Sequence, residues 1–101
     1  MGHEKSAGQS KYEKYIDGVK KSSGIYAITI DDLVVYVGKA KNMRRRVRGH
    51  IRHALNGHSR DKYRLLLAAI EKHHVVRCII LEECAIKDLD EKERYFINGN
   101  C

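Results

Sequence analysis

The segment GIYAITIDDLVVYVG, residues 24–38, decides the fold that we predict for this chain. Two runs rich in β-branched and aromatic residues, GIYAITI and LVVYVG, favour strands. Asp31-Asp32 lies between them and is a plausible two-residue turn, so the segment predicts one β-hairpin. A hairpin of this length can hold two tyrosine hydroxyls, those of Tyr26 and Tyr36, near each other on one sheet.

Helical spacing and one more β-rich run surround the hairpin. Tyr12 and Val19 belong to a short N-terminal helix expected to end near residues 20–23. Asn42 is a good N-cap for the helix that follows the hairpin, and Asn56-Gly57 can close that helix. The later predicted elements are helices at about residues 43–55 and 59–73, a strand at 75–82 and a closing helix from 86 to about 98.

The order α-β-β-α-α-β-α predicts an α/β fold, a small three-stranded mainly antiparallel sheet flanked by helices. A chain of 101 residues is large enough for one modest core. We expect residues 1–9, which are polar, to be a flexible N-terminal segment and residues 10–101 to form a single domain.

Cysteine and histidine spacing favours neither disulfides nor zinc. The three cysteines form no CxxC pair, so reduced thiols are expected. His50, His53 and His58 have no cysteine or carboxylate placed nearby to complete four zinc ligands. No apolar run approaches the ~20 residues of a membrane span, and no signal-peptide core is present at the N-terminus. We therefore expect a cytoplasmic protein with no membrane partner.

The net charge of +7 and the pI near 9.5 predict a polyanionic partner. Positive charge is concentrated in residues 39–52, which contain no acidic residue. A polybasic helix is often a solvated face and can also lie on anionic lipid. Its position behind two paired tyrosines favours a phosphate backbone instead. The basic residues are Lys39, Lys41, Arg44, Arg45, Arg46, Arg48 and Arg52.

The basic helix also has an apolar face that includes Val47 and Ile51 when it is wound at 100° per residue. Arg46 and His50 lie together along one border of that face. Periodicity alone leaves both as ordinary boundary residues. The remaining arginines are expected to point farther round, towards solvent; these are Arg44, Arg45, Arg48 and Arg52.

Glu93 falls in the middle of the apolar stripe predicted for the closing helix. A carboxylate that faces a core is costly unless it is paired or bound to a metal. On this ground alone, an ion pair with an arginine and a metal-ligand role both stay open. The apolar residues of the stripe are Ile86, Leu89, Phe96 and Ile97.

In this order and spacing, these residues resemble the GIY-YIG nuclease family, in particular a homing-endonuclease-like catalytic domain. The resemblance rests on Gly24-Ile25-Tyr26 and Tyr36-Val37-Gly38, with Val37 in place of the usual isoleucine. It continues through Arg46, His50 and Glu93 and so covers roughly residues 24–97. It implies the same small α/β core that the element order predicts.

The resemblance implies a divalent-metal-dependent DNA endonuclease that leaves 5′-phosphate and 3′-hydroxyl ends. Tyr26 would accept the proton of the attacking water, assisted by His50, and Tyr36 would orient water or phosphate. Arg46 would neutralise phosphate charge, and Glu93 would hold one Mg²⁺ or Mn²⁺ ion. A phenol is a poor base unless cations stabilise its phenolate, and we expect Arg46, Lys39 and the metal to do so. The expected nucleic-acid contacts are Lys39, Lys41, Arg44, Arg45, Arg48, Arg52 and His58.

Three questions stay open at this level. A non-catalytic nucleic-acid-binding module with the same fold is the main alternative, and a basic domain without a site is the second. DNA is the expected partner, with a homodimer or fusion to a separate DNA-binding domain as the source of any specificity. The family has an asparagine after its closing helix, for which Asn98 and Asn100 are both near; either the contact is made differently or the chain is a piece of a longer protein.

Overall fold

The computed structural model describes residues 12–98. The segment 1–9, which we expect to be flexible, lies outside the described residues, as do Asn100 and Cys101. Three antiparallel strands form one sheet in the order β2-β1-β3. The strands are β1 (Gly24–Ile30), β2 (Leu33–Ala40) and β3 (Val76–Glu83).

The turn between β1 and β2 has the geometry that its sequence predicts. Asp31 and Asp32 have φ angles of 50° and 71°, the left-handed conformation that a type I′ hairpin turn requires at both positions. The strand register places Tyr26 opposite Gly38 and Ile28 opposite Tyr36. The two tyrosines are therefore diagonal neighbours on one face of the sheet.

The helices follow the predicted order, and the fold class is confirmed. Their ends differ by a few residues from the predicted ones: residues 17–18 form a turn that ends the first helix early, with Gly18 at a φ of 87°. No helix within residues 12–98 is both long and apolar enough to cross a bilayer. The helices are α1 (residues 12–16), α2 (Met43–Leu55), α3 (Asp61–Glu71) and α4 (Leu89–Ile97), with a 3₁₀ turn at Ile86–Asp88.

Helix α2 packs on the face of the sheet that carries Tyr26. Its N-cap is confirmed, since the Asn42 side chain accepts a hydrogen bond from the Arg45 backbone N–H at 3.1 Å. The predicted apolar face of α2 is also confirmed, because Val47 and Ile51 are fully buried in one core with α1, α3 and the sheet.

Helix α4 packs against β1 and β2 on the opposite face of the sheet. Strand alternation turns Ile25 to this face, and Ile25 is fully buried there. The prediction of a continuous buried stripe on α4 is wrong, because Ile86 and Ile97 are 55% and 57% exposed while Leu89 is buried. Ile86 lies in the 3₁₀ turn before α4 and Ile97 is the last residue of the helix, so both extend past the part of the sheet that α4 covers.

Candidate active site

A buried chain of three polar side chains joins β1, α2 and α3. The Tyr26 hydroxyl lies 2.7 Å from His50 Nε2, and His50 Nδ1 lies 3.1 Å from the Tyr63 hydroxyl. Tyr26, His50 and Tyr63 are only 1%, 5% and 6% exposed. Buried polar atoms are almost always hydrogen-bonded, and here the three side chains satisfy one another.

His50 is much more deeply placed than its position on the border of the helix face predicts. It is one of five buried residues of α2. Helix α3 lies beside α2 and covers the imidazole from the side opposite the sheet, through Tyr63. Periodicity could not anticipate this, because it describes α2 alone and not the helix that packs on it.

Tyr36 completes an aromatic group around the imidazole. Its ring centre lies 6.2 Å from that of Tyr26 and 5.3 Å from that of His50. The expectation that the hairpin brings the two tyrosines together is therefore met. Lys62 Nζ lies 4.5 Å from the centre of the Tyr36 ring, a cation–π contact that brings positive charge from α3 to the group.

Burial dominates the acid–base properties of this group. It raises the pKa of the Tyr26 phenol, Tyr36 adds to the rise, and the Arg46 guanidinium opposes it without cancelling it. Burial, followed by the charges of Lys62 and Arg46, lowers the pKa of His50 to about 4. Burial therefore outweighs the Arg46 charge, so near neutral pH the Tyr26 phenol is protonated and the His50 imidazole is neutral. That Arg46, Lys39 and a bound metal together stabilise a phenolate stays a prediction.

A cleft of about 570 Å³ opens beside His50. Five of its lining residues are cationic and none is acidic, so its electrostatic potential favours an anion. Six of the residues predicted from the sequence to act in catalysis or DNA binding line this cleft, together with Tyr63 and His53. The lining residues are Lys39, Ala40, Lys41, Asn42, Arg45, Arg46, Gly49, His50, Arg52, His53, Tyr63 and Leu89.

Glu93 lies near the edge of this cleft, because it pairs with Lys39, which is one of the lining residues. The Glu93 Oε1 atom lies 3.6 Å from Lys39 Nζ, and Asp90 one turn earlier on α4 pairs with the same ammonium. The Glu93 side chain is 24% exposed, so it lies at the boundary of the fold rather than inside the core. An ion pair is thus present, with a lysine as the partner in place of the arginine named in that alternative.

The Glu93 carboxylate is chemically suited to a hard divalent cation, because such an ion prefers oxygen ligands. Among residues 12–98, no group of three or more His, Cys, Asp or Glu side chains could surround a metal. An ion at Glu93 would therefore take its other ligands from water and substrate, which is the usual situation of Mg²⁺.

Of the four arginines expected to face solvent, one bonds within the fold instead and a second is half-buried. Arg44 donates hydrogen bonds to the Ile16 and Val19 carbonyl groups and pairs with Glu13 of α1. The Arg48 Nε atom is buried and, within the described residues, has no hydrogen-bond partner. The expected solvent-facing orientation is therefore wrong for Arg44, whereas Arg48 is half-buried and Arg45 and Arg52 are exposed.

Three residues near the site were missed by the sequence analysis. Tyr63 follows the apolar spacing of its helix, which is typical of a core residue. His53 lies one turn after His50, and this i, i+3 spacing is the signal that could have identified it. The rings of His53, His58 and Tyr63 contact one another with centres 4.9–5.2 Å apart, which places His58 next to the cleft. No feature of the sequence indicates that Lys62 lies near the site.

Comparison with known proteins identifies a matching family model and a similar solved structure. The family model of the UvrC-like GIY-YIG domain matches residues 22–95. Among solved structures, a mutant of EndoII from bacteriophage T4 superposes with a TM-score of 0.59 and 30% sequence identity. That alignment covers 74% of this chain and 66% of the EndoII chain, slightly less than two thirds of its length. No curated protein sequence matches significantly.

Proposed function

Since this chain belongs to the GIY-YIG nuclease family, in its UvrC-like branch, we propose that it is a divalent-metal-dependent endonuclease that hydrolyses DNA phosphodiester bonds. One observation carries the proposal. The hydrogen bond between Tyr26 and His50 lies beside a cleft whose charged lining residues are all cationic. A proton-transfer pair next to an anion-binding cleft is what hydrolysis of a phosphodiester requires.

Tyr26 and His50 act together as the general base. The raised pKa of Tyr26 makes a free phenolate unfavourable, so the phenol transfers its proton as it receives one. The attacking water gives a proton to the Tyr26 oxygen while the Tyr26 proton passes to His50 Nε2. A bound phosphodiester brings negative charge towards the imidazole and so favours its protonated form.

Arg46 neutralises the charge that grows on the non-bridging phosphate oxygens. It is exposed and lines the cleft, and its guanidinium can bind two oxygens at once. Tyr36, whose ring carries the Lys62 ammonium on its face, orients the water or the phosphate.

Glu93 is the residue that would hold the metal, with Mg²⁺ or Mn²⁺ as the expected ion. When bound, such an ion stabilises negative charge on the leaving 3′-oxygen. The expected products carry 5′-phosphate and 3′-hydroxyl ends. Lys39, which pairs with Glu93, keeps Asp90 as a partner and can also contact the DNA backbone.

The DNA backbone is expected to lie along the exposed basic residues of the cleft. Lys41, Arg45 and Arg52 can reach phosphates without disturbing the core, and His58 flanks them from the loop before α3. A second copy of the chain or a fused DNA-binding domain stays our expectation for the source of any sequence preference.

One observation favours the alternative of a non-catalytic binding module. Glu93 already has a cationic partner in Lys39, and in a binding module this ion pair would be its only role. Incubation of the protein with supercoiled plasmid, in Mg²⁺ and in EDTA, separates the two functions. The endonuclease produces nicked circles only in Mg²⁺, whereas a binding module retards the plasmid in a gel and leaves it supercoiled.

A further inference from the structure

The hydrogen-bond chain through His50 has a direction that the burial of its members fixes. A neutral imidazole has one N–H donor and one acceptor nitrogen, and two phenols flank this one. In one arrangement Tyr26 donates to Nε2 and Nδ1 donates to Tyr63. In the other, Tyr63 donates to Nδ1 and Nε2 donates to Tyr26. The two arrangements place the imidazole proton on different nitrogens.

The two hydroxyl groups differ in their access to other acceptors. Tyr26 is 1% exposed, and Nε2 of His50 lies 2.7 Å from its hydroxyl. A buried hydroxyl proton needs an acceptor, so Tyr26 donates to Nε2. Tyr63 lines the cleft, where water can accept its hydroxyl proton. Its oxygen is then available to accept from Nδ1–H at 3.1 Å.

We infer that Tyr63 is a positioning residue: it holds His50 in the tautomer protonated at Nδ1, which keeps Nε2 free to accept the Tyr26 proton. The effect of Tyr63 on catalysis rests on the proposed nuclease function, whereas the tautomer rests only on the geometry of the three side chains. During the proton transfer the imidazole becomes a cation, and the Nδ1–H bond to the Tyr63 oxygen is then charge-assisted and stronger. Without this acceptor, the imidazole can carry its proton on Nε2 instead. That N–H then faces Tyr26 and blocks the transfer.

Nitrogen-15 NMR of the imidazole tests the tautomer directly at pH 7, and the His50 signal is identified by its loss in His50→Gln. The expected wild-type spectrum has a protonated Nδ1 and an unprotonated Nε2. In Tyr63→Phe the proton moves, at least in part, to Nε2. A wild-type spectrum with the proton on Nε2 would overturn the inference, and that measurement needs no variant of Tyr63 to fold.

Cleavage kinetics test the consequence of the tautomer. Tyr63→Phe should lower kcat by about 10-fold or more, part of the 10²–10⁴-fold that general acid–base catalysis contributes, and leave KM for DNA unchanged. Tyr15→Phe is the matched control, because Tyr15 is a buried tyrosine of the same core on α1. Equal kcat in wild type and Tyr63→Phe would contradict a positioning role. A wild-type protein that does not cut DNA would defeat the proposed function, and the tautomer would still decide the inference.

Discussion

Gly38 lies directly against the Tyr26 hydroxyl, its partner across the hairpin. A Cβ atom at position 38 would come within 2.5 Å of the Tyr26 hydroxyl oxygen and within 3.0 Å of the Tyr36 ring. The glycine of the Tyr36-Val37-Gly38 motif therefore makes space for the phenol that contacts His50. The backbone itself imposes no such requirement here, because Gly38 has no positive φ angle.

Gly38→Ala should displace Tyr26 and break its hydrogen bond with His50. The expected cost is about 1–3 kcal/mol of unfolding free energy, as for other overpacked sites, together with loss of most cleavage activity. Thermal denaturation and the nicking assay measure the two effects. Gly49→Ala is the matched control: a Cβ there meets no atom within 4 Å, and alanine in a helix interior should add up to about 1 kcal/mol of stability. Equal melting temperatures for Gly38→Ala and wild type would contradict the close approach.

Glu93→Gln should abolish Mg²⁺-dependent nicking and leave DNA binding nearly intact, because the amide is a much poorer ligand for a hard cation. Glu91→Gln changes an exposed carboxylate on the same helix and should behave like wild type. Nicking and filter binding on the same plasmid separate catalysis from affinity. If Glu93→Gln nicks DNA at the wild-type rate, Glu93 does not hold the metal.

Arg46→Ala and Tyr26→Phe should each lower the cleavage rate by at least ~100-fold at saturating DNA. Arg46 is exposed, so its loss should leave the melting temperature almost unchanged. Tyr26→Phe removes a buried hydroxyl and should cost about 1 kcal/mol. Arg64→Ala, an exposed arginine of α3, is the control for charge. Global unfolding of either variant would indicate that the residue is structural instead.

The salt dependence of DNA binding should distinguish the arginines of α2. Each phosphate contact contributes about −0.9 to the slope of log affinity against log salt. Arg45→Ala and Arg52→Ala should each flatten that slope by about one contact. Arg44→Ala should instead lower stability by roughly 1–3 kcal/mol, because it removes bonds to the carbonyl groups of Ile16 and Val19. An unchanged slope in both Arg45→Ala and Arg52→Ala would exclude α2 as the surface that faces DNA.

The buried neutral imidazole of His50 should make stability depend on pH. Its pKa is about 4 in the fold and near 6.5 in the unfolded chain, so the unfolded state binds a proton first as the pH falls. Stability is therefore complete above pH 6.5 and falls by about 1.4 kcal/mol per pH unit from there to pH 4. Denaturant titrations of wild type and His50→Gln measure this slope, and His58→Gln is the exposed control. A His50→Gln slope equal to that of wild type would show that His50 does not cause it.

The hairpin and the order of elements follow from local sequence signals, and so could be predicted. Asp31-Asp32 closes the turn and Asn42 caps α2, each through bonds within a few residues. The position of β1 between β2 and β3 could not be predicted in this way, because three β-rich runs do not indicate which strand is central. The burial of Ile25, which lies on the face covered by α4, follows from that arrangement.

The motif residues of the candidate site were identified through family resemblance, and their surroundings were not. Arg44 illustrates why: its partners lie on α1, far away in sequence, and helical periodicity carries no information about them. The same holds for Tyr63, whose hydroxyl meets His50 only because α3 folds back on α2. The direction of the Tyr26 pKa shift also depends on burial, which a list of nearby charges does not include.

The most direct test of the account is the repair of plasmid nicks by DNA ligase after incubation of the protein with supercoiled DNA and Mg²⁺. Ligase seals only a nick with a 5′-phosphate and a 3′-hydroxyl. The proposed function predicts nicked circles that form with Mg²⁺, do not form in EDTA and are closed by ligase. Plasmid that the protein binds but leaves supercoiled in Mg²⁺ and in Mn²⁺, or nicks that ligase cannot seal, would contradict it.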